Sequence, residues 1–248
     1  MTDIDGLKLF SKDEKIGEKE YREGCIILID KPFKWTSFNV VSKIRVLLKH
    51  YMGIKKIKTG HAGTLDPLAT GLLILCTGKA TKSIDTLVNS EKEYIADITL
   101  GATTPSYDLE TEVDNISDYS NITNGKIIWS LNSFKGKQTQ VPPVYSAVKV
   151  KGKKAYEHAR KGESLNLKER EIEIYNAELL EYNAPVAKVK INCSKGTYIR
   201  SLANDIGKKL NTGAYLSALK RTKSGEYTIE MASSIEEFED ALKKSIDK

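Results

Sequence analysis

The sequence predicts an α+β chain built on a mixed, largely antiparallel central sheet flanked by helices. Three observations lead there. Continuous apolar runs at residues 25–29 and 72–76 have the length and composition of buried strands. Apolar residues alternate with polar ones over residues 94–100 and 186–193, as half-buried strands require. Two amphipathic helices stand out: Val40, Val41, Ile44, Leu47 and Leu48 recur at helical spacing, as do Ile199, Leu202, Ala203, Ile206 and Leu210. Strands alternate irregularly with helices and with one another.

In chain order, residues 1–23 are densely charged with both signs and are expected to form a mobile or loosely docked arm. The strand at 25–29 ends at Asp30-Lys31-Pro32, because proline cannot continue a ladder. Ser37 precedes the first helix. A basic linker, 55–58, leads into residues 58–72, where three glycines and Pro67 predict a loop before the 72–76 strand. Gly78-Lys79-Ala80-Thr81 is not a phosphate-binding loop, since Leu73 stands where the earlier glycine belongs and Ala80 fills the hydroxyl position. A helix is expected over about 80–88, then the 94–100 strand and a long polar, acidic loop over 102–122. Residues 127–134 read as helix, 140–146 as extended by their prolines, and 155–160 as a short helix. Two strands follow at 171–180 and 186–193. A glycine turn then opens the second amphipathic helix, with Arg200 in its first turn and off its apolar stripe. Short strands at 214–222 and 226–229 precede a final helix to about Ser245, opened by a capping box of Ser234 and Glu237.

At 248 residues the chain can bury a sizeable core. No apolar run approaches the roughly 20 residues of a membrane span, and the opening Met-Thr-Asp-Ile-Asp-Gly is not that of a signal peptide. The three cysteines, Cys25, Cys76 and Cys193, are far apart in apolar runs and read as reduced core residues, so a cytoplasmic location is expected and a zinc site is not. The net charge is +6, and its placement matters more than its size. Between Lys31 and Leu65 lie eight Lys/Arg and no acid, among them Lys31, Lys55, Lys56 and Lys58. A second cluster comprises Lys149, Lys151, Lys153, Lys154, Arg160 and Lys161. Charge runs are commonly solvated faces, but a basic block leading into a loop with one carboxylate suggests a polyanionic ligand.

That carboxylate is Asp66, the only acid between Lys31 and Ser83, and His61 precedes it in the same loop. A glycine-shaped loop at the lip of a core strand is a common mount for a catalytic acid. The spacing is equally compatible with a tight turn in which Asp66 only caps backbone amides.

The stretch His61-Ala-Gly-Thr-Leu-Asp-Pro-Leu-Ala-Thr-Gly71 resembles the signature of the TruB family of tRNA pseudouridine synthases. Four further segments resemble motifs of that family. They are Asp30-Lys-Pro-Phe-Lys-Trp-Thr-Ser37, Glu91-Lys-Glu-Tyr94, Cys193-Ser-Lys-Gly-Thr-Tyr-Ile-Arg200 and Ala218-Leu-Lys-Arg-Thr222. Lys34 stands where the family has glycine, and Ala62 where many members have threonine. The likeness runs over 24–235, which implies one synthase domain there. A short C-terminal helix over 236–248 would follow, without a full PUA-type RNA-binding module.

The resemblance implies isomerisation of a uridine in the T-loop of tRNA, with no metal or organic cofactor. Asp66, Tyr94 and Arg200 would be catalytic, Arg200 pairing with Asp66 and Tyr94 offering its ring and hydroxyl. Leu219 would wall the pocket and His61 would lie against the RNA at the flipped nucleotide. Lys31, Lys55, Lys56, Lys58, Lys153 and Lys154 would grip phosphates of the T-arm. A monomer is expected. Two competing readings are a non-catalytic tRNA-binding or folding factor, and a guide-RNA-dependent subunit of the dyskerin type. The joint presence of Asp66, Tyr94 and Arg200 weighs against the first, and the missing long C-terminal module against the second.

Overall fold

A computed structural model describes residues 6–12, 14–150, 152–163 and 165–246. The strands in chain order are β1 (Lys8–Leu9), β2 (Cys25–Lys31), β3 (Thr59–Ala62), β4 (Ala69–Thr77) and β5 (Lys92–Leu100). Then come β6 (Ala102–Thr103), β7 (Asn115–Ile116), β8 (Gly136–Gln140), β9 (Lys149–Val150) and β10 (Lys153–Lys154). The long β11 (Arg170–Asn183), β12 (Val186–Cys193), β13 (Ala214–Ser224) and β14 (Tyr227–Thr228) complete them. The helices are α1 (Glu18–Gly24), α2 (Ser37–Met52), α3 (Ile84–Val88), α4 (Asn124–Ser133), α5 (Ala155–Ala159), α6 (Ile199–Leu210) and α7 (Ile235–Ile246). The chain divides into two compact units, Met1–Lys92 with Lys220–Lys248, and Glu93–Leu219. The predicted α+β class with a mixed, largely antiparallel sheet is observed.

In the first unit β2 and β4 pair antiparallel, Ile26 opposite Cys76 and Lys31 opposite Gly71. β1 joins β2 in parallel and β3 joins β4 antiparallel. Both faces of this sheet are covered, so β2 and β4 read as unbroken apolar runs. Ile27, Ile29, Leu73 and Leu75 pack with Val40, Ile44, Leu48, Phe238 and Leu242 from α2 and α7. Ile26, Leu28, Leu72, Ile74 and Cys76 pack with Ala80, Leu87 and Tyr227 on the other face. Burial pushes the thiols of Cys25 and Cys76 up to about 12, as suits inert core cysteines.

The second unit orders its strands β5-β12-β11-β8. Ala96, Ile98 and Leu100 are buried on β5, as are Val189, Ile191 and Cys193 on β12. α6 buries Ile199, Leu202, Ala203 and Ile206, as its spacing predicts.

Several expectations need correction. The charged segment expected as a loose arm carries β1 and α1 and buries Phe10, Ile16 and Tyr21 in the α2–α7 core; residues 1–5 and 13 lie outside the described residues. Its apolar residues are too widely spaced to show a period, yet each finds a core position. Thr36, not Ser37, caps α2, accepting from the Asn39 amide at 3.0 Å. The expected loop over 58–72 contains β3, held by pairing with Ile74–Thr77 rather than by its own composition. The helix expected over 80–88 begins as a 3-10 turn, Gly78–Ser83, before α3. The capping box of Ser234 and Glu237 forms as expected.

Candidate active site

Asp66 stands half-buried in the short connection from β3 to β4, and the chain fixes that connection almost residue by residue. Ser37, first residue of α2, donates its hydroxyl to the Leu65 carbonyl at 3.1 Å and accepts from the Leu65 amide at 2.9 Å. The Ala69 amide donates to the Asp66 carbonyl at 3.1 Å, and the Lys34 amide to the Pro67 carbonyl at 2.9 Å. Lys34 adopts φ +65, the left-handed conformation that favours glycine, which accounts for the glycine of the family motif at this place. Gly71 has φ +99, and a Cβ there would stand 2.3 Å from the Arg221 carbonyl oxygen.

Two buried cations underlie the loop. Lys31 is fully buried and donates its ammonium to the carbonyls of Pro32 (3.0 Å), Trp35 (2.5 Å) and Pro67 (3.3 Å). Desolvation pulls its pKa down to about 8, although the nearby Asp66 carboxylate pulls the other way. Arg221 on β13, 1% exposed, donates to the Leu72 carbonyl at 2.8 Å and to the Gly63 carbonyl at 3.1 Å, pinning both sides of the loop. Lys31 and Arg221 therefore hold the backbone on both sides of Asp66, and Lys31 sets a cation near its carboxylate.

Lys31 was expected to grip RNA phosphates and does not: its ammonium is buried and committed to three carbonyls. Charge counting registers the residue type and misses its burial. Arg221 and Ser37 are the positioning residues that motif reading passed over. Their only signal was membership of the two flanking motifs, Leu-Lys-Arg-Thr and Trp-Thr-Ser.

His61 lies on β3, half-buried, with its Nδ1 buried and making no hydrogen bond among the described residues. Burial, and then the Arg221 cation, hold its pKa below the usual histidine value. The ring is therefore neutral near pH 7, and its Nδ1 is not bonded within its own loop.

The other expected catalytic residues, Tyr94 and Arg200, and the expected pocket residue Leu219 belong to the second unit. Tyr94 is on β5, 9% exposed, and Leu219 is half-buried on β13. Arg200 is the second residue of α6 and 4% exposed. The turn before it has Gly196 at φ +77, and Gln140 clamps Tyr198 through both backbone groups, at 2.8 and 3.1 Å. The Arg200 guanidinium donates to the Tyr145 carbonyl at 3.0 Å and stands 3.5 Å from the buried carboxylate of Asp108. Asp108 thus enters as a partner of Arg200 that the sequence had assigned only to a polar loop.

Of the other lysines, Lys55, Lys56 and Lys58 are exposed and border an open groove of about 490 Å³ in the first unit, together with Arg45 and Lys49 of α2. Lys153 and Lys154 form the exposed strand β10, paired with β9; Lys151 lies outside the described residues. Arg160 of that cluster is engaged by Glu110 at 2.9 Å. Among the described residues no group of three His, Cys, Asp or Glu could hold a metal ion, and no helix is long and apolar enough to cross a membrane.

Comparison with known proteins places this arrangement. Residues 49–199 match the family model described as TruB family pseudouridylate synthase (N terminal domain), and residues 200–248 the one described as tRNA pseudouridylate synthase B C-terminal domain. The chain is 53% identical over 222 residues to the tRNA pseudouridine synthase B of Phocaeicola vulgatus, covering 90% of this chain and 94% of that protein. It is 51% identical over 227 residues to that of Parabacteroides distasonis, covering 92% and 97%. Among solved structures it resembles a chain of a Cbf5-Nop10-Gar1 complex, with TM-score 0.70 and 28% identity over 96% of this chain. It spans 64% of that solved chain, less than two thirds of its length. Sequence models over both parts and relatives of about half identity along most of their lengths agree: the chain belongs to the TruB family of pseudouridylate synthases.

Proposed function

We propose that this chain converts uridine to pseudouridine in the T-loop of tRNA, at position 55 by tRNA convention. The observation that carries the proposal is Asp66, in the family's signature stretch, on a loop fixed by Ser37, Lys31 and Arg221. The reaction breaks the C1′–N1 bond, turns the uracil within the pocket and joins C1′ to C5. C5 then loses its proton and N1 gains one, so the product is an isomer and nothing is consumed.

Asp66 acts on the nucleotide either as nucleophile or as a charge stabiliser that moves protons. Arg200, held by Asp108 and the Tyr145 carbonyl, would pair with Asp66 in the working enzyme and keep it ionised. Tyr94 gives the uracil a flat face and a hydroxyl. Leu219 keeps water from the detached base. A base in a folded loop must leave its stack before Asp66 can reach C1′, and the neutral His61 ring takes the space against the RNA. Lys55, Lys56, Lys58, Lys153 and Lys154 grip phosphates, which position the arm without reading sequence. The buried, inert cysteines support a cytoplasmic enzyme.

The test is pseudouridine mapping on a bare T-arm transcript treated with the purified chain. Conversion of the T-loop uridine without any guide RNA supports the proposal. Binding without conversion favours a folding factor, and conversion only with a guide RNA favours the dyskerin-type reading.

A further inference from the structure

Two large aromatics stand out in the segment that braces the Asp66 loop. Phe33 is 53% exposed and Phe38 64% exposed, although most aromatics of this size bury their rings. Trp35 between them packs on the core, so the turn sends one ring inward and leaves two outward. Both lie within a few residues of the hydrogen bonds from Lys34 to Pro67 and from Ser37 to Leu65, which tie this turn to the loop. The ammonium of Lys34 stands 5.7 Å over the Phe33 ring.

Phe38 also begins a row on α2. Phe38, Ser42, Arg45 and Lys49 follow i, i+4, i+7 and i+11, one face of a helix. At about 1.5 Å per residue the row is roughly 16 Å long. It runs from the Asp66 loop end into the groove that Lys55, Lys56 and Lys58 complete. The stretch from Lys31 to Leu65 holds eight cations and no acid, so nothing in it repels a polyanion.

We propose that this outer face of α2 is an RNA track, with Phe33 and Phe38 stacking on bases beside the Asp66 loop and the exposed Lys49, Lys55 and Lys56 of the groove holding backbone phosphates, while Arg45 is committed to the Thr59 carbonyl at 2.6 Å. This rests on the T-arm reading above, and it adds a base-stacking surface that the reaction itself does not require. RNA is the occupant because exposed rings interleaved with cations suit bases and phosphates together, whereas a protein partner would favour a mixed-sign rim. The rings enter before chemistry and serve to position the loop.

The experiment titrates a T-arm hairpin against the full chain at several salt concentrations and follows conversion in parallel. Phe33→Ala with Phe38→Ala should weaken binding about 30-fold or more, the combined loss expected for two stacked bases. The slope of log affinity against log salt should not change, because no phosphate contact is lost. Phe→Tyr at both positions should restore affinity while Phe→Leu does not. Lys49→Glu with Lys55→Glu and Lys56→Glu should instead flatten the salt slope. Unchanged affinity in the phenylalanine variant, or full rescue by leucine, would overturn the stacking surface. An unchanged slope in the lysine variant would overturn the groove. Failure of the wild type to convert the hairpin would count against the enzyme reading instead, since the titrations read binding without it.

Discussion

At the scale of single residues, the site depends on cations placed where solvent cannot reach them. The low pKa of Lys31 has a consequence for stability. From about pH 8 upward, toward the ordinary value of 10.5, the unfolded chain holds a proton that the folded chain has released. Stability contributed by this group therefore rises with pH across that window and is flat below it. Chemical denaturation of wild type and Lys31→Met at pH 7.5 and 9.5 should show the wild type gaining relative to the variant; an equal response in both would refute a lowered Lys31 pKa. Arg221→Met keeps the stem but leaves the carbonyls of Gly63 and Leu72 without their donor. A loss of about 2–5 kcal/mol is expected, with slower conversion at temperatures where the variant remains folded. Arg200 gives a sharper separation. Arg200→Lys retains charge and loses the planar fork, so conversion should fall well below that of the wild type, and Arg200→Ala should be slower again. Both should bind the T-arm nearly as well as the wild type. The alanine variant should also be less stable, since it leaves Asp108 buried without its cation. Binding lost in proportion to activity would make Arg200 a phosphate contact.

At the scale of elements, the sequence was legible wherever an element's own pattern determines it. β2 and β4 announced themselves because both faces of their sheet are buried, and β5 and β12 because one face is. α6 and α7 were plain from spacing and capping. β3 was not, because Thr-Gly-His-Ala has no strand character and is a strand only through its pairing with β4. A Cβ at its Gly60 would lie 2.6 Å from Ile84 Cδ1, the end of a side chain that can turn aside, so this contact alone does not demand glycine. The site was legible as a motif and illegible as a mount. The bonds from Ser37, Lys31 and Arg221 join residues that spacing cannot connect, 28, 36 and 158 positions apart. Gly71 and Gly53 test the difference between backbone conformation and close approach. Both have positive φ, but a Cβ at Gly53 meets nothing within 4 Å. Gly53→Ala should cost about 1 kcal/mol from conformation alone, and Gly71→Ala about 3 kcal/mol or more, because the Arg221 backbone must also move. Equal melting shifts would show that the approach of β13 does not dictate Gly71.

At the scale of the whole molecule, the two family models meet between residues 199 and 200, whereas the compact units divide at 92–93 and 219–220. Family boundary and physical boundary differ, and each unit carries part of the proposed machinery: Asp66, His61, Lys31 and Arg221 in one, Tyr94, Arg200 and Asp108 in the other. A net charge of +6 draws the molecule to polyanions in general, so RNA binding by itself says little about the reaction. In the proposed mechanism, the Asp66 carboxylate is what separates a pseudouridine synthase from an RNA-binding protein of the same fold. The decisive measurement is single-turnover pseudouridine formation on a T-arm transcript by Asp66→Asn, with RNA affinity titrated on the same sample. The substitution preserves size and hydrogen bonding and removes the charge near the Lys31 ammonium. Conversion should disappear while affinity stays within a few-fold of the wild type; substantial conversion by Asp66→Asn would contradict the account.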